Sequence, residues 1–241
     1  MGRFPQVESF AWMNELSKAH AEVQIYANAL RISQACADLR ELLQSASTNG
    51  MNAVMIPEFQ LTMQQLQDCD EYTDNWLQTA PAWWRPKHMQ SPSIEQTTMS
   101  IGTSRQPYLY HDIWIAITHY YHRSFRIHLH ELMLQALEFV QDAGATYALA
   151  GDSDSAIERS RRRATELIEG NILTVPFLTG EVDSYGNMNQ DAQPMELGML
   201  HACVALKPIV ESPLATETEK MKARDLTNEV LMMTRRGPAR S

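Results

Sequence analysis

Residues 110–131 read YHDIWIAITHYYHRSFRIHLHE, and their pattern is the clearest indication of the fold class. It contains neither glycine nor proline, and its side chains repeat with helical spacing. An aspartate ahead of such a run is a favourable helix N-cap, because its carboxylate accepts a free backbone N–H. The stretch therefore predicts one long, largely buried helix from about Asp112 to about Gln141.

This helix has two different sides. One side is mostly aromatic and is predicted to face the core; it comprises Trp114, Ile117, Tyr121, Phe125, His128 and Leu132. The opposite side, which we call the histidine–arginine stripe, comprises His119, His122, Arg123, Arg126 and His130. Candidate functional residues concentrate on this stripe.

Helical periodicity continues through most of the chain. Apolar stripes predict helices over Phe10–Leu43, after Pro57, and over Ser155–Gly170, Glu196–Val210 and Thr216–Thr234. Leu173–Leu178, which contains Pro176, is read as the start of a loop. No strand pattern of useful length appears. The fold class predicted is all-α: a multi-helix globular domain of packed antiparallel helices with one long central helix.

The predicted organisation has three parts. An N-terminal helical region covers residues 1–50 and ends at the turn signal Asn49-Gly50. A second helical domain covers residues 51–234, and a basic tail with glycine and proline covers 235–241 and is expected to be flexible.

Composition excludes several classes of protein. The net charge of −9 should repel phosphate backbones, so no direct DNA binding is expected. The three cysteines lack the spacing of a zinc finger and are expected to be buried reduced thiols. Met1–Phe10 lacks the features of a secretory signal, and no apolar run has the roughly 20 residues of a membrane span. We expect no metal, no cofactor and no membrane contact.

The stripe has both structural and chemical interpretations. His119 and His122 have the spacing of metal ligands but lack a third ligand on their face. In an enzyme, His119, His122 and His130 would be the acid–base candidates, because histidine titrates near neutral pH. Arg123 and Arg126, with Trp114 and Tyr121, could bind an acidic ligand in a cavity. Structural pairing with Glu158, Glu166 or Glu169 is the commoner use of such arginines.

A second basic group comprises Arg159, Arg161, Arg162 and Arg163. Nuclear import and nucleic-acid contact are its functional interpretations. Because glutamates surround it, a solvated, salt-bridged helix face is the favoured one.

Three blocks of sequence point to a known family. The first runs from Leu66-Gln67-Asp68-Cys69-Asp70 through Trp76 and Pro81 to Trp84. The second contains Tyr110, Trp114-Ile115-Ala116, Arg123, Arg126-Ile127 and His130-Glu131. The third runs from Ile168 through Val175-Pro176-Phe177 to Gly180 and is followed by the apolar stretch Leu197–Leu206. Their order and spacing, over about residues 60 to 235, resemble the regulatory domain of fungal binuclear zinc cluster (Zn2Cys6) transcription factors.

The resemblance implies an all-helical regulatory domain, which would occupy residues 51–234. Such domains follow a zinc cluster and a coiled coil, and they tune the expression of secondary-metabolite or nutrient pathways. Two departures limit the comparison. The six-cysteine cluster does not occur in these 241 residues, and Thr118-His119-Tyr120-Tyr121-His122 stands where relatives have an asparagine.

The expected function is therefore that of a nuclear transcriptional regulator that lacks its own DNA-binding cluster. Its partners would be proteins, among them a full-length transcription factor, and the stripe leaves a small-molecule effector open. The alternative is a cytoplasmic enzyme or small-molecule binder of the isomerase or cyclase type, built on the same scaffold and using His119, His122, Arg123, Arg126 and His130. An incomplete gene, with the cluster encoded ahead of Met1, is a further alternative.

Overall fold

A computed structural model describes residues 21–52, 54–88, 106–144, 153–189 and 196–236. Six α-helices make up most of these residues: α1 (Ala21–Asn49), α2 (Met55–Thr79), α3 (Ile113–Asp142), α4 (Ser153–Thr179), α5 (Glu196–Glu211) and α6 (Glu217–Arg236). A 3-10 turn covers Ala82–Trp84, and β1 (Lys87–His88) pairs antiparallel with β2 (Tyr108–Leu109). The all-α class is confirmed. Within the described ranges, no helix is both long and apolar enough to cross a membrane.

Several predicted boundaries are confirmed. The first helix ends at Asn49, and Gly50 follows in a left-handed conformation with φ of 77°. The central helix is α3, and Asp112 is its N-cap, since its Oδ1 accepts the backbone N–H of Ile115 at 2.9 Å. The predicted start of the first helix at Phe10 lies outside the described residues.

One boundary was wrong. The helix predicted to end near Gly170 continues as α4 through Pro176 to Thr179. Every residue from 171 to 179 is buried, so packing over this last part of α4 outweighs the backbone hydrogen bond that Pro176 cannot donate. Gly180, with φ of 81°, then ends the helix.

The chain forms two compact units, each built from two stretches of sequence. Unit 1 comprises Met1–Pro81 and His128–Arg161, and unit 2 comprises Ala82–Ile127 and Arg162–Ser241. The division falls inside α3 and inside α4. Each unit has its own buried side chains.

In unit 1, α1 and α2 pack antiparallel. The side-chain amide of Asn28, near the start of α1, donates to the carbonyl of Cys69 at 2.9 Å and to the hydroxyl of Thr73 at 2.7 Å, near the end of α2. Ile32, Leu39, Phe59, Leu66 and Leu129 are among the fully buried side chains of this unit. As predicted, Cys36 and Cys69 are buried free thiols, whereas Cys203 in unit 2 is only half-buried. Burial raises the pKa of Cys36 to about 12.

In unit 2, α5 and α6 pack against each other. A capping box starts α6: Glu219 N–H donates to the Thr216 hydroxyl at 3.2 Å, and Thr216 N–H donates to the Glu219 carboxylate at 2.7 Å. The largest buried side chains of this unit include Tyr120, Ile168, Leu178, Leu206 and Ile209.

Candidate functional site

The histidine–arginine stripe is buried rather than open. His119, His122, Arg126 and His130 are each no more than 5% exposed, and Arg123 is half-buried. The prediction that the aromatic side of α3 is core was wrong for Trp114, which is 62% exposed, and for Phe125, which is 41% exposed. Ile117 and Leu132 are buried as predicted. Helical spacing separates the two sides of α3, but it does not state which of them packs inward.

Arg123 is the centre of a polar cluster in unit 2. Its Nη1 donates toward the Tyr110 hydroxyl at 3.0 Å, the Thr174 hydroxyl at 2.9 Å and the Gly170 carbonyl at 3.3 Å. The guanidinium carbon lies 5.0 Å from the centroid of the Tyr108 ring, a cation–π distance. The Tyr110 and Thr174 hydroxyls are also within 2.9 Å of each other.

No carboxylate of the described residues pairs with Arg123. Of the glutamates named as candidate partners in unit 2, neither Glu166 nor Glu169 pairs with Arg123, whose contacts include a helix carbonyl instead. The pairing of Arg126 stays a prediction. The guanidinium of Arg123 donates to neutral oxygens. These are the hydroxyl of Tyr110, the residue that follows β2, and the Gly170 carbonyl and Thr174 hydroxyl of α4. Hydrogen bonds to a charged donor are stronger than those between neutral groups, so this contact fixes α4 against α3 within unit 2.

His119 extends the Arg123 cluster. Its Nε2 lies 2.7 Å from the Trp84 carbonyl, so Nε2 carries the proton and donates it. Its ring also lies beside Tyr110, with centroids 5.6 Å apart. Burial, and then the positive charge of Arg123, lower the pKa of His119 to about 3, against the opposing effect of the Trp84 hydrogen bond. His119 is thus neutral at pH 7 and poorly suited to general acid–base catalysis there.

His130, at the end of the stripe, lies in different surroundings from His119. His130 belongs to unit 1, where its Nε2 lies 3.4 Å from Oδ1 of Asp70. Nearby in the sequence, His128 contacts Arg40 through Nε2 and Glu131 through Nδ1. His119 and His122, the other candidate acid–base histidines, belong to unit 2.

A second set of contacts joins α3 to α5 in unit 2. The Tyr120 hydroxyl donates to the Ala202 carbonyl at 3.1 Å, and the Tyr121 hydroxyl lies 2.9 Å from Nδ1 of His201. Gly198 allows α5 to approach α4 closely, since a Cβ at this position would overlap the carbonyl oxygen of Leu178 in α4. Burial raises the pKa of both tyrosines, so each remains a neutral phenol at pH 7.

Beside these contacts lies an exposed apolar surface. It comprises Trp114, Tyr121 and Phe125 on α3 and Leu197, Leu200 and Val204 on α5, and we call it the α3–α5 apolar surface. All of these side chains are exposed except Tyr121, which is half-buried. Trp114 and Tyr121, predicted as ligand contacts, thus face outward, on the opposite side of α3 from the stripe.

The arginine cluster at 159–163 is a salt-bridged surface, as predicted. Arg163 pairs with Glu166 at 2.9 Å, and Arg161 pairs with Glu138 at 3.3 Å. These exposed pairs contribute little to stability. Across the described ranges, no group of three histidine, cysteine, aspartate or glutamate side chains is placed to hold a metal ion.

Sequence reasoning missed most partners of the stripe. Trp84, Tyr110 and Thr174 all lie within the three sequence blocks, but nothing in their spacing indicated that they meet at one arginine and one histidine. Compared with models of known protein families, with curated proteins and with solved structures, the chain matches none.

Proposed function

We propose that this chain is a regulatory domain of the kind found in fungal binuclear zinc cluster transcription factors. In this proposal it acts in the nucleus through protein partners, among them a full-length transcription factor, and it changes the expression of a secondary-metabolite or nutrient pathway. It does not read DNA itself, in keeping with its net charge of −9.

One observation carries the proposal: residues from all three sequence blocks converge in unit 2. Trp84 of the first block accepts a hydrogen bond from His119, which lies between the matching residues of the second block, in the segment where this chain departs from relatives. Arg123 of the second block donates to Gly170 and Thr174 of the third. Because these residues contact one another in one folded unit, the blocks that contain them are expected to keep a fixed order and spacing in the sequence.

The use of the reactive side chains also favours a regulator over an enzyme. Nε2 of His119 is bound to a backbone carbonyl, and its low pKa keeps the ring neutral at pH 7. Nη1 of Arg123 is bound to three neutral oxygens. Groups committed to the protein's own structure are poorly placed to act on a substrate.

The test is a gene deletion in the source organism, with transcripts and metabolites measured in the same cultures. A regulator predicts that transcripts of a whole pathway fall together and recover when the intact gene is returned. Unchanged transcripts with accumulation of one intermediate would contradict the proposal and favour the isomerase- or cyclase-type enzyme.

A small acidic effector at the Arg123 guanidinium is a second candidate, favoured because its described hydrogen bonds all come from Nη1 and none goes to a carboxylate. A guanidinium flanked by aromatic rings suits an aromatic carboxylate. Benzoate is a suitable first probe, with thermal unfolding as the readout. Stabilisation by benzoate that Arg123→Met abolishes would support effector binding, and equal behaviour of both proteins would exclude it at this position.

A further inference from the structure

We propose that His128 is a proton-sensitive contact within unit 1. In its neutral form the imidazole holds α1 to α3, and in its protonated form it releases α1. The ligand of this site is a proton, and the proposal does not depend on the proposed function.

Three side chains of unit 1 form the site. Arg40 of α1 contacts Nε2 of His128 through its Nη2 atom. On the other side of the ring, Oε2 of Glu131 lies 3.2 Å from Nδ1 of His128. The imidazole therefore lies between a guanidinium that comes from α1 and a carboxylate that comes from its own helix, α3.

The partners of His128 fix both its charge and its tautomer. A guanidinium has N–H donors and no acceptor, and it stays charged throughout the pH range of proteins. Nε2 of His128 must therefore be the acceptor for Arg40, and it carries no proton. The single proton of the neutral ring is then on Nδ1, from which it is donated to Glu131.

A second proton on this ring changes its partners. Protonation of Nε2 removes the acceptor for Arg40 and places two positive charges against each other. The contact of Nδ1 with Glu131 becomes an ion pair at the same time, so the ring stays with α3 while Arg40 is released. The His128 side chain is 43% exposed, so a proton reaches it without unfolding of the chain.

The other described helices of unit 1 bring no competing charge to this ring. From α2, Asp70 faces His130 instead, with 3.4 Å between its Oδ1 and the Nε2 of that histidine. Among the residues that the structure describes, no ion pair or hydrogen bond joins a charged group of α2 or α4 to His128. The response to pH therefore depends on Arg40, His128 and Glu131.

Two substitutions hold the site in its two states. His128→Gln keeps an oxygen acceptor for Arg40 and an N–H donor for Glu131, so it stands for the neutral ring at every pH. His128→Lys carries a permanent charge and no acceptor, so it stands for the protonated ring. The control is His111→Gln, which changes an exposed histidine of unit 2 and should respond to pH as the wild type does.

Amide hydrogen exchange of the full chain, corrected for intrinsic exchange rates, reports how firmly α1 is held around Arg40. Between about pH 8 and about pH 5.5, protection there should fall about 2- to 10-fold more in the wild type than in His128→Gln, the effect of one hydrogen bond. His128→Lys should show the low protection at both pH values. Nitrogen NMR of the wild-type ring at pH 8 should show the proton on Nδ1.

Circular dichroism checks that each variant is folded. If His128→Lys unfolds, Arg40→Met takes its place, because it lacks the donor and should also show low protection at both pH values. A proton on Nε2 of His128 at pH 8 overturns the proposal. Equal loss of protection in the wild type and in His128→Gln overturns it as well.

Discussion

At the scale of single residues, Arg123 shows how a charged group stabilises a helical unit without an ion pair. Its guanidinium takes neutral acceptors from two parts of unit 2 and covers the Tyr108 ring. Gly170 makes room for it, because a Cβ at that position would lie 3.1 Å from Nε of Arg123. In place of a carboxylate, two hydroxyl oxygens and one carbonyl oxygen accept hydrogen bonds from the positively charged guanidinium of Arg123.

Replacing Arg123 with methionine should lower the free energy of unfolding by about 1–3 kcal/mol, because the Tyr110 and Thr174 hydroxyls lose a charged donor. Urea denaturation at pH 7 measures this change. Arg162→Met is the matched control, since Arg162 is exposed on α4, and its effect should stay within about 0.5 kcal/mol. Equal effects of the two substitutions would show that Arg123 does not organise the cluster.

His119 predicts a pH dependence of stability. Its pKa is about 3 in the folded chain and 6.5 ordinarily. Its contribution is complete above pH 6.5 and is lost as pH falls toward 3, because only the unfolded state takes up the proton. The loss is about 1.4 kcal/mol per pH unit, so between pH 7 and pH 5 the wild type should lose roughly 2 kcal/mol more than His119→Gln. Urea denaturation at both pH values measures the difference.

The control for this prediction is His111→Gln, which changes an exposed histidine ahead of α3. It should keep the pH dependence of the wild type. If the wild type and His119→Gln lose stability in parallel, His119 is not held neutral by the fold.

Arg123 and His119 also show what the sequence could and could not predict for single residues. Periodicity correctly placed the stripe residues on one side of α3 and Trp114 and Phe125 on the other. It assigned the aromatic side to the core, because aromatic side chains are usually buried. The choice between the two sides depends on acceptors that come from distant segments, such as the Trp84 carbonyl and the Thr174 hydroxyl, and no local pattern contains them.

At the scale of elements, α5 depends on a glycine for its position. We expect Gly198→Ala to lower the free energy of unfolding by about 1–3 kcal/mol or more, since the added methyl group meets the backbone carbonyl of Leu178 and cannot move a flexible side chain aside. Thermal or urea denaturation would report the loss. Val204→Ala, an exposed change on the same helix, should cost no more than about 0.5 kcal/mol.

Helix positions were more predictable than helix contacts. The N-cap Asp112 and the capping box at Thr216 lie where the sequence placed the starts of α3 and of the last helix. The end of α4 was missed, because local propensity at Pro176 opposes a helix and only burial of residues 171–179 overrides it. Sequence patterns therefore predict helix ends that are capped by neighbouring residues, and they fail at helix ends that depend on packing against distant segments.

At the scale of the whole molecule, the charge of −9 and the α3–α5 apolar surface act in opposite directions on self-association. Added salt screens the repulsion between copies and leaves apolar contacts intact.

Because the division between units falls inside α3 and inside α4, both units are assembled from non-contiguous stretches of chain. A fragment that stops at Ile127 keeps residues 1–81 of unit 1 but loses residues 128–161, and it also removes the second stretch of unit 2. A C-terminal deletion that ends anywhere before Arg161 would thus break both units, so a series of such deletions could not assign a function to one segment. Dissecting this protein calls for surface point substitutions that leave the chain intact.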